Sequence, residues 1–267
     1  MPELPEVETV VRGLVNDLVG ATAEEAEASW PKVLDGMSLH EFNERLSGRK
    51  ITGMFRRGKY ICIDCSGIFL VIHLRMTGRL YLHDDAAGAD KWVRFSLALT
   101  NGKHLIFSDA RKFGRVVLTP SLAFLEAKLG PEPLLLAPAD YRHILKGSTR
   151  AIKVFLLDQK KLAGVGNIYA DESLHKAGIK PGRPTDKLRA AEREKLGVCI
   201  QESLQTAIDH EGASISWYRK PDGSQGESQK HFLVYGRGGE PCYTCGTAIT
   251  KIVLGQRGTH YCHQCQK

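Results

Sequence analysis

Four of the seven cysteines fall near the C-terminus as Cys242-x2-Cys245-x16-Cys262-x2-Cys265. Two close pairs separated by roughly 15 to 20 residues is zinc-ligand spacing. Each pair supplies two thiolates from one tight turn, and four thiolates close a tetrahedral structural site. Between the pairs, TAITKIVL and THYC read as two strands joined by GQRG. Arg257 then sits at a hairpin tip between Gly255 and Gly258. His260 and His263 compete poorly with four thiolates and read as surface residues. Cys62-x2-Cys65 lies in the alternating segment KYICIDC. Residues i and i+3 of a strand face opposite sides, so this pair reads as packing. Cys199 reads as a buried helical residue.

The extreme N-terminus carries a second chemistry. Initiator methionine is commonly removed before a small residue, and Pro2 would then present a secondary amine. Unprotonated, such an amine attacks an aldehyde-level carbon to give an iminium ion, an electron sink for elimination. Glu3 and Glu6 lie close by for proton transfer. Glutamates at a helix start are equally explained by the helix dipole, so the N-terminus alone admits both readings.

Two further features suit polyanions. GVGN at 164–167 is a glycine-rich approach to a helix, where free backbone N–H groups can bind phosphate. Asn167 is expected as its N-cap and as a donor to phosphate; a plain helix connection fits the same residues. Residues 45–60 carry six basic residues and no acid, and RKFGR at 111–115 sets Phe113 among cations. An aromatic so placed can wedge between bases while the charges hold phosphates. Core packing for Phe113 and a solvated face for the charges are the plainer alternatives.

The elements that must hold these residues follow from periodicity. Val7, Val10, Val11, Leu14 and Leu18 recur at helical spacing behind Pro5, with Gly20 as stop. From 34 to 120, short apolar runs separated by Gly, Asn and Asp predict an antiparallel β-sandwich. GPEPLLLAPA at 130–139 reads as a linker. AIKVFLLDQKK, NIYADESLHKAGI and LRAAEREKLGVCIQESLQTAIDH then read as helices, and 212–230 as a polar, mobile loop. The expected domains are a β-sandwich with the N-terminal helix over 1–130, the linker at 131–139, a helical domain over 140–235 and a zinc hairpin over 236–267. The fold class is therefore α+β.

Composition agrees with a globular chain: 267 residues, 42% hydrophobic and 25% charged. No run approaches the length of a membrane helix, and the acidic start is unlike a secretory signal. An odd cysteine count points to a reducing compartment. The net charge of +7 divides into −6 over residues 1–30, where seven acids face Arg12, and +13 over the rest. A basic body suggests nucleic acid as partner.

Taken together, PELPEVE at 2–8, RRGKY at 56–60, HLRMTGRL at 73–80, DARKFGR at 109–115, AIK at 151–153, GVGNIYADE at 164–172 and VYGRGGEPC through QRGTHYCHQCQ closely resemble the formamidopyrimidine-DNA glycosylase and endonuclease VIII family. The likeness spans nearly the whole chain. It implies a helix-two-turns-helix element in the helical domain and one structural zinc ion. It also implies duplex DNA containing oxidised bases or abasic sites as partner, a monomer, and a bacterial-type cytoplasmic, nucleoid-associated location. The damaged nucleotide would be flipped into a pocket. Pro2 would attack the deoxyribose C1′, Glu3 would be the general acid/base, Glu6 would orient the amine, and Lys59 would lie near the lesion and its phosphate. Met76, Arg111 and Phe113 would fill the gap left by flipping. His73, Lys153, Asn167 and Arg257 would grip phosphates. The implied activity is bifunctional: excision of formamidopyrimidines and 8-oxoguanine, then strand cutting by β,δ-elimination. The gap-filling set favours oxidised purines over the pyrimidines of the endonuclease VIII type. A non-catalytic lesion binder of the same fold is the rival of another class. One departure stands out: where many members carry a Gly-Tyr-Phe-like stretch over the flipped base, this chain has Gly223-Ser-Gln-Gly-Glu-Ser228.

Overall fold

A computed structural model describes all residues from Met1 to Lys267. The chain forms two compact units, one of Met1–Ala127 with His210–Glu227, the other of Lys128–Asp209 with Ser228–Lys267. The segment 210–227 therefore packs in the first unit, although its sequence position placed it in the helical domain. The physical reason is a set of hydrogen bonds and a buried tyrosine described below.

The first unit opens with α1 (Leu4–Leu18). Glu3 is its N-cap, Pro5 lies in its first turn, and the Glu3 amide donates to Glu6 Oε2 at 2.8 Å in a capping-box arrangement. Its apolar stripe, Val7, Val10, Val11, Leu14 and Leu18, is buried in the core of the unit. Next come β1 (Ala23–Glu27), α2 (Leu39–Leu46), β2 (Gly53–Arg57), β3 (Tyr60–Asp64), β4 (Phe69–His73), β5 (Gly78–His83), β6 (Val93–Leu99), β7 (His104–Asp109), β8 (Arg115–Thr119) and the short α3 (Ala123–Glu126). The strands make two four-stranded antiparallel sheets, ordered β1-β6-β7-β5 and β2-β3-β4-β8. The β-sandwich expected from the turn signals is what forms. Cys62 and Cys65 are both buried in it, as packing residues.

Register gathers the loops at one end. Arg57 pairs with Tyr60, His73 with Arg115, and Gly78 with Asp109. The turns 58–59, 74–77 and 110–114 thus leave the sheets side by side.

The second unit contains α4 (Tyr141–Ile144), α5 (Ile152–Leu156), α6 (Asn167–Ala177) and α7 (Ala190–Asp209), and ends in the hairpin of β9 (Thr250–Leu254) and β10 (Arg257–Tyr261). Prolines 133 and 138 each start a 3-10 turn in the expected linker. Gly166, not Asn167, caps α6, and Asn167 is its first residue. At Gly197, an added Cβ would lie 2.2 Å from the Tyr141 ring, so α4 and α7 approach as closely as they do only over a glycine.

Candidate active site and nucleic-acid interface

Pro2 is buried at the start of α1, beside Glu3 and Glu6, which are 3% and 2% exposed. Glu6 uses both carboxylate oxygens: Oε2 accepts from the Glu3 amide and Oε1 from the Ala213 amide at 2.8 Å. One carboxylate thus ties the chain start to the 210–227 segment. Glu8, one turn on, pairs with Arg56 of β2 at 3.0 Å, and Arg56 also donates to the Gly58 carbonyl at 3.2 Å. These contacts hold the first turns of α1 beside the hairpin turn that carries Lys59. Lys59 is itself buried, at 5% exposure.

His73 ends β4, edge-to-face with Tyr60 at 4.5 Å. Burial and the charges of Arg75 and Lys59 push its pKa down to about 3, so it is neutral in ordinary buffers. Its Nδ1 accepts from the Arg75 amide at 3.0 Å, which leaves the proton on Nε2. A neutral histidine with a fixed Nε2–H is an oriented donor that carries no charge.

The three residues expected to fill a gap in a base stack do come together. Arg111 Nη1 lies 3.2 Å from Met76 Sδ, and its guanidinium sits over the Phe113 ring at 4.7 Å. Met76 and Phe113 are 44% and 47% exposed, so both are available as apolar wedges. What organises them is Asp109, which motif reading missed. It is 1% exposed and accepts from the Thr77 hydroxyl, the Arg111 amide and the Gly114 amide. It thereby joins the two loops that carry Met76 and Phe113. Any side chain at Gly114 would strike Phe107, whose ring lies 2.3 Å from the Cβ position. On the neighbouring strand, Arg115 lies over the Trp30 ring at 5.4 Å.

In the second unit, the hairpin tip docks on α5 and α6. The Gly258 carbonyl accepts from Lys153 Nζ at 2.9 Å and Asn167 Nδ2 at 3.0 Å. Gly255, with φ +55, would place a Cβ 2.7 Å from Val154 Cγ2, so only glycine permits this approach. Arg257 is exposed next to these residues. Lys153, expected at a phosphate, is instead fully buried. Its ammonium pairs with Asp171 at 2.7 Å and donates to Thr259 Oγ1 at 2.8 Å as well as to Gly258. With its side chain fully buried, no donor of the ammonium faces solvent. Asp171 also accepts from the His260 amide at 2.9 Å. His260 is therefore a buried residue of this seam, contrary to its reading as a surface group, whereas His263 is exposed. Glu172, also missed by motif reading, receives the amides of Leu233, Val234 and Tyr235 at 2.8–2.9 Å and so anchors the VYG turn.

The four terminal cysteines converge. Their sulfurs all lie within 4.8 Å of one another, with Cys242–Cys265 at 3.9 Å and Cys245–Cys262 at 3.5 Å. A tetrahedron with zinc–sulfur bonds of about 2.3 Å has edges of about 3.8 Å, so the donor set and its dimensions fit one zinc ion. Gln266 braces the site by accepting from the Cys262 amide and donating to the Ile179 carbonyl, both at 2.8 Å.

Three families match along the chain: the formamidopyrimidine-DNA glycosylase N-terminal domain over residues 1–116, the formamidopyrimidine-DNA glycosylase H2TH domain over 129–219, and the zinc finger found in FPG and IleRS over 239–267. The chain belongs to the formamidopyrimidine-DNA glycosylase family. Relatives of that name from Chloroflexus aurantiacus and Enterococcus faecalis are 44% and 40% identical, in each case over 100% of this chain and 98% of the relative. A mutant Lactococcus lactis FPG bound to DNA containing Fapy-dG superposes with a TM-score of 0.92 at 38% identity, covering 100% of both chains. The MutM (FPG) protein of Thermus thermophilus gives 0.89 at 38% identity, over 99% of this chain and 98% of that one. The α+β fold, the DNA-repair glycosylase character and the structural zinc site expected from the motifs all hold. No helix is long and apolar enough to cross a membrane.

Proposed function

We propose that the protein is a bifunctional glycosylase and AP lyase that excises oxidised purines, formamidopyrimidines and 8-oxoguanine among them, from duplex DNA. The observation that carries this reading is the buried cluster of Pro2, Glu3 and Glu6 at the head of α1. In this proposal, removal of Met1 frees the Pro2 amine, because an amide nitrogen between Met1 and Pro2 has no basic lone pair. The Pro2 nitrogen bonds to C1′ as the glycosidic bond breaks and the base departs. Glu3 moves the protons that base loss and opening of the sugar ring require. Glu6 holds the Glu3 amide and so fixes the geometry of the chain start. The resulting iminium accepts the electron pair released when the 2′ proton is lost, and the 3′ C–O bond breaks. A second elimination breaks the 5′ C–O bond.

Met76, Arg111 and Phe113 occupy the hole left by the flipped nucleotide, with Arg111 hydrogen-bonding the base opposite. Lys59, His73, Asn167 and Arg257 contact phosphates, while Lys153 supports the Arg257 hairpin from beneath. By analogy with its bacterial relatives, the enzyme works as a cytoplasmic, nucleoid-associated monomer.

A borohydride trap tests the mechanism. The expected result is a covalent DNA adduct that peptide mapping assigns to residue 2, and an added N-terminal residue that abolishes both trapping and strand cutting. A label on Lys59 with Pro2 unmodified overturns it. Glu3→Gln should impair base excision more than cutting at a preformed abasic site. A second reading, oxidised pyrimidines as substrates, draws on a solved complex of Lactococcus lactis FPG with DNA containing an oxidised pyrimidine. Paired assays on 8-oxoguanine and thymine-glycol duplexes separate the two.

A further inference from the structure

Helix α6 carries three polar residues one turn apart, Asn167, Asp171 and His175. Residues four apart lie along one face of a helix. All three meet the C-terminal finger. Asn167 donates to the Gly258 carbonyl near the hairpin tip, and Asp171 accepts from the His260 amide further along β10. The third contact is of another kind. His175 Nε2 lies 3.6 Å from Cys242 Sγ, a hydrogen-bond distance for an atom as large as sulfur, and that sulfur is one of the four that converge. His175 and Cys242 are both buried. The ring comes from 67 positions away in the chain, so it is not part of the finger it touches.

The surroundings of the ring decide which nitrogen holds its proton. A neutral imidazole has one donor and one acceptor nitrogen. Nδ1 is buried and has no hydrogen-bond partner. A proton there would strand a buried donor and turn the bare Nε2 lone pair toward the sulfur. A zinc-bound cysteine is a thiolate, an acceptor only, so lone pair would face lone pair. A proton on Nε2 instead pairs the donor with the thiolate and leaves one bare acceptor at Nδ1 as the sole deficit. The donor also meets a need. One zinc ion and four thiolates together carry two negative charges in excess, and hydrogen bonds to the sulfurs offset that charge. Four sulfurs already complete a tetrahedron, and His175 is not among the converging donor atoms. The ring therefore serves the sulfur rather than the metal.

We propose that His175 is a positioning residue of the zinc centre: its Nε2–H donates to the Cys242 thiolate, so that α6 helps to set how tightly the finger holds its ion. Partners that orient and hydrogen-bond metal ligands from outside tune affinity without touching the metal. The hold of α6 on the finger then runs along one helix face from the hairpin tip at Asn167 to the metal ligand at His175. The role concerns the metal site alone and is independent of the reaction at Pro2.

The test uses the full-length, zinc-loaded protein and two variants. His175→Phe keeps a ring and removes the donor, whereas His175→Gln returns an amide N–H where Nε2 stood. Zinc affinity is measured by competition with a chromophoric chelator. It should fall at least about tenfold in His175→Phe and return to within about threefold of the native value in His175→Gln. Undiminished affinity in His175→Phe overturns the proposal. Equal loss in both variants also overturns it, because the ring then matters for packing and not as a donor. The unaltered protein supplies a second readout that holds even if a variant fails to fold. Long-range proton–nitrogen correlation spectra should place the ring proton on Nε2. After exchange of zinc for a magnetically active cadmium isotope, that proton should couple to the metal through the Cys242 sulfur. A proton on Nδ1 overturns the proposal. A direct one-bond coupling between cadmium and Nε2 makes His175 a ligand and overturns it as well.

Discussion

Replacing Lys153 with methionine removes an ammonium that the structure buries completely. Its partner Asp171 is equally inaccessible, and the two groups lie 2.7 Å apart. Removing one member of a buried pair strands the other charge and costs about 3–5 kcal/mol. A loss of about 3 kcal/mol in a unit of this size should lower its melting midpoint by roughly 10 °C. Asp171→Leu added to Lys153→Met removes the stranded carboxylate and should restore part of the stability. It cannot restore all, because the His260 amide then has no acceptor. DNA binding should weaken as well, since the Gly258 carbonyl beside Arg257 keeps only Asn167 as donor. The decisive measurement is the dependence of affinity on salt. Each phosphate that a variant ceases to neutralise flattens the slope of log K against log salt by about 0.9. A buried support for the hairpin should leave that slope unchanged while affinity falls. If Lys153→Met flattens the slope by about one and leaves the midpoint unmoved, Lys153 reaches a phosphate, and the assignment made from its burial is wrong.

Other perturbations have equally direct readouts. Cys245→Ser should release zinc, measured as metal per protein, and should weaken binding of damaged and undamaged duplex alike, because only Val234, Cys242, Ile249 and Cys262 form the core of that finger. Asp109→Asn turns one of the two acceptor oxygens into a donor, so either the Gly114 amide or the Thr77 and Arg111 donors lose their partner, and it should slow excision of lesions more than cutting at a preformed abasic site. Stability should fall with acid through His73. Its folded pKa, about 3, lies below the ordinary histidine value of 6.5, so the unfolded chain binds the proton first. The contribution is complete above pH 6.5 and lost as pH falls towards 3. Between about pH 8 and pH 5 it amounts to about 2 kcal/mol, and His73→Gln should flatten the denaturation profile over that range.

The zinc site was legible because its ligands are set by local spacing: two pairs, each within one turn, with a hairpin between. The sandwich was legible because Gly, Asn and Asp punctuate the strands. The supporting residues were not. Asp109 and Glu172 look like ordinary surface acids until strand register and helix packing bring their donors to them. Lys153 and Asp171 are 18 positions apart, and neither shows by its neighbours that it will be buried. His260 alternates correctly for a surface strand residue, yet the second unit covers it. In each case the role depends on contacts distant along the chain, which periodicity does not encode.

The 210–227 segment shows how such contacts decide what can vary. Its hold on α1 is made at its base. Glu6 accepts from the Ala213 amide, and Tyr218 is 7% exposed, with its hydroxyl on the Glu211 carbonyl at 3.1 Å. The returning strand passes so close that a Cβ at Gly226 would lie 2.2 Å from the Glu211 carbonyl oxygen, and one at Gly212 would lie 3.0 Å from Glu6 Cγ. These glycines are demanded by the approach of backbone to backbone and of backbone to the Glu6 side chain. Residues 222–225, by contrast, are exposed at the tip. Residues 223–225 of the unusual Gly-Ser-Gln-Gly-Glu-Ser stretch therefore lie at the tip, while its Gly226 keeps the close approach at the base. Because the Glu6 carboxylate serves the Glu3 amide and the Ala213 amide together, displacing the base of this segment would also release one of the two ties on Glu6. The sequence of the tip can therefore vary without loosening Glu6, while the base of the segment stays bound to the residue that orders the chain start.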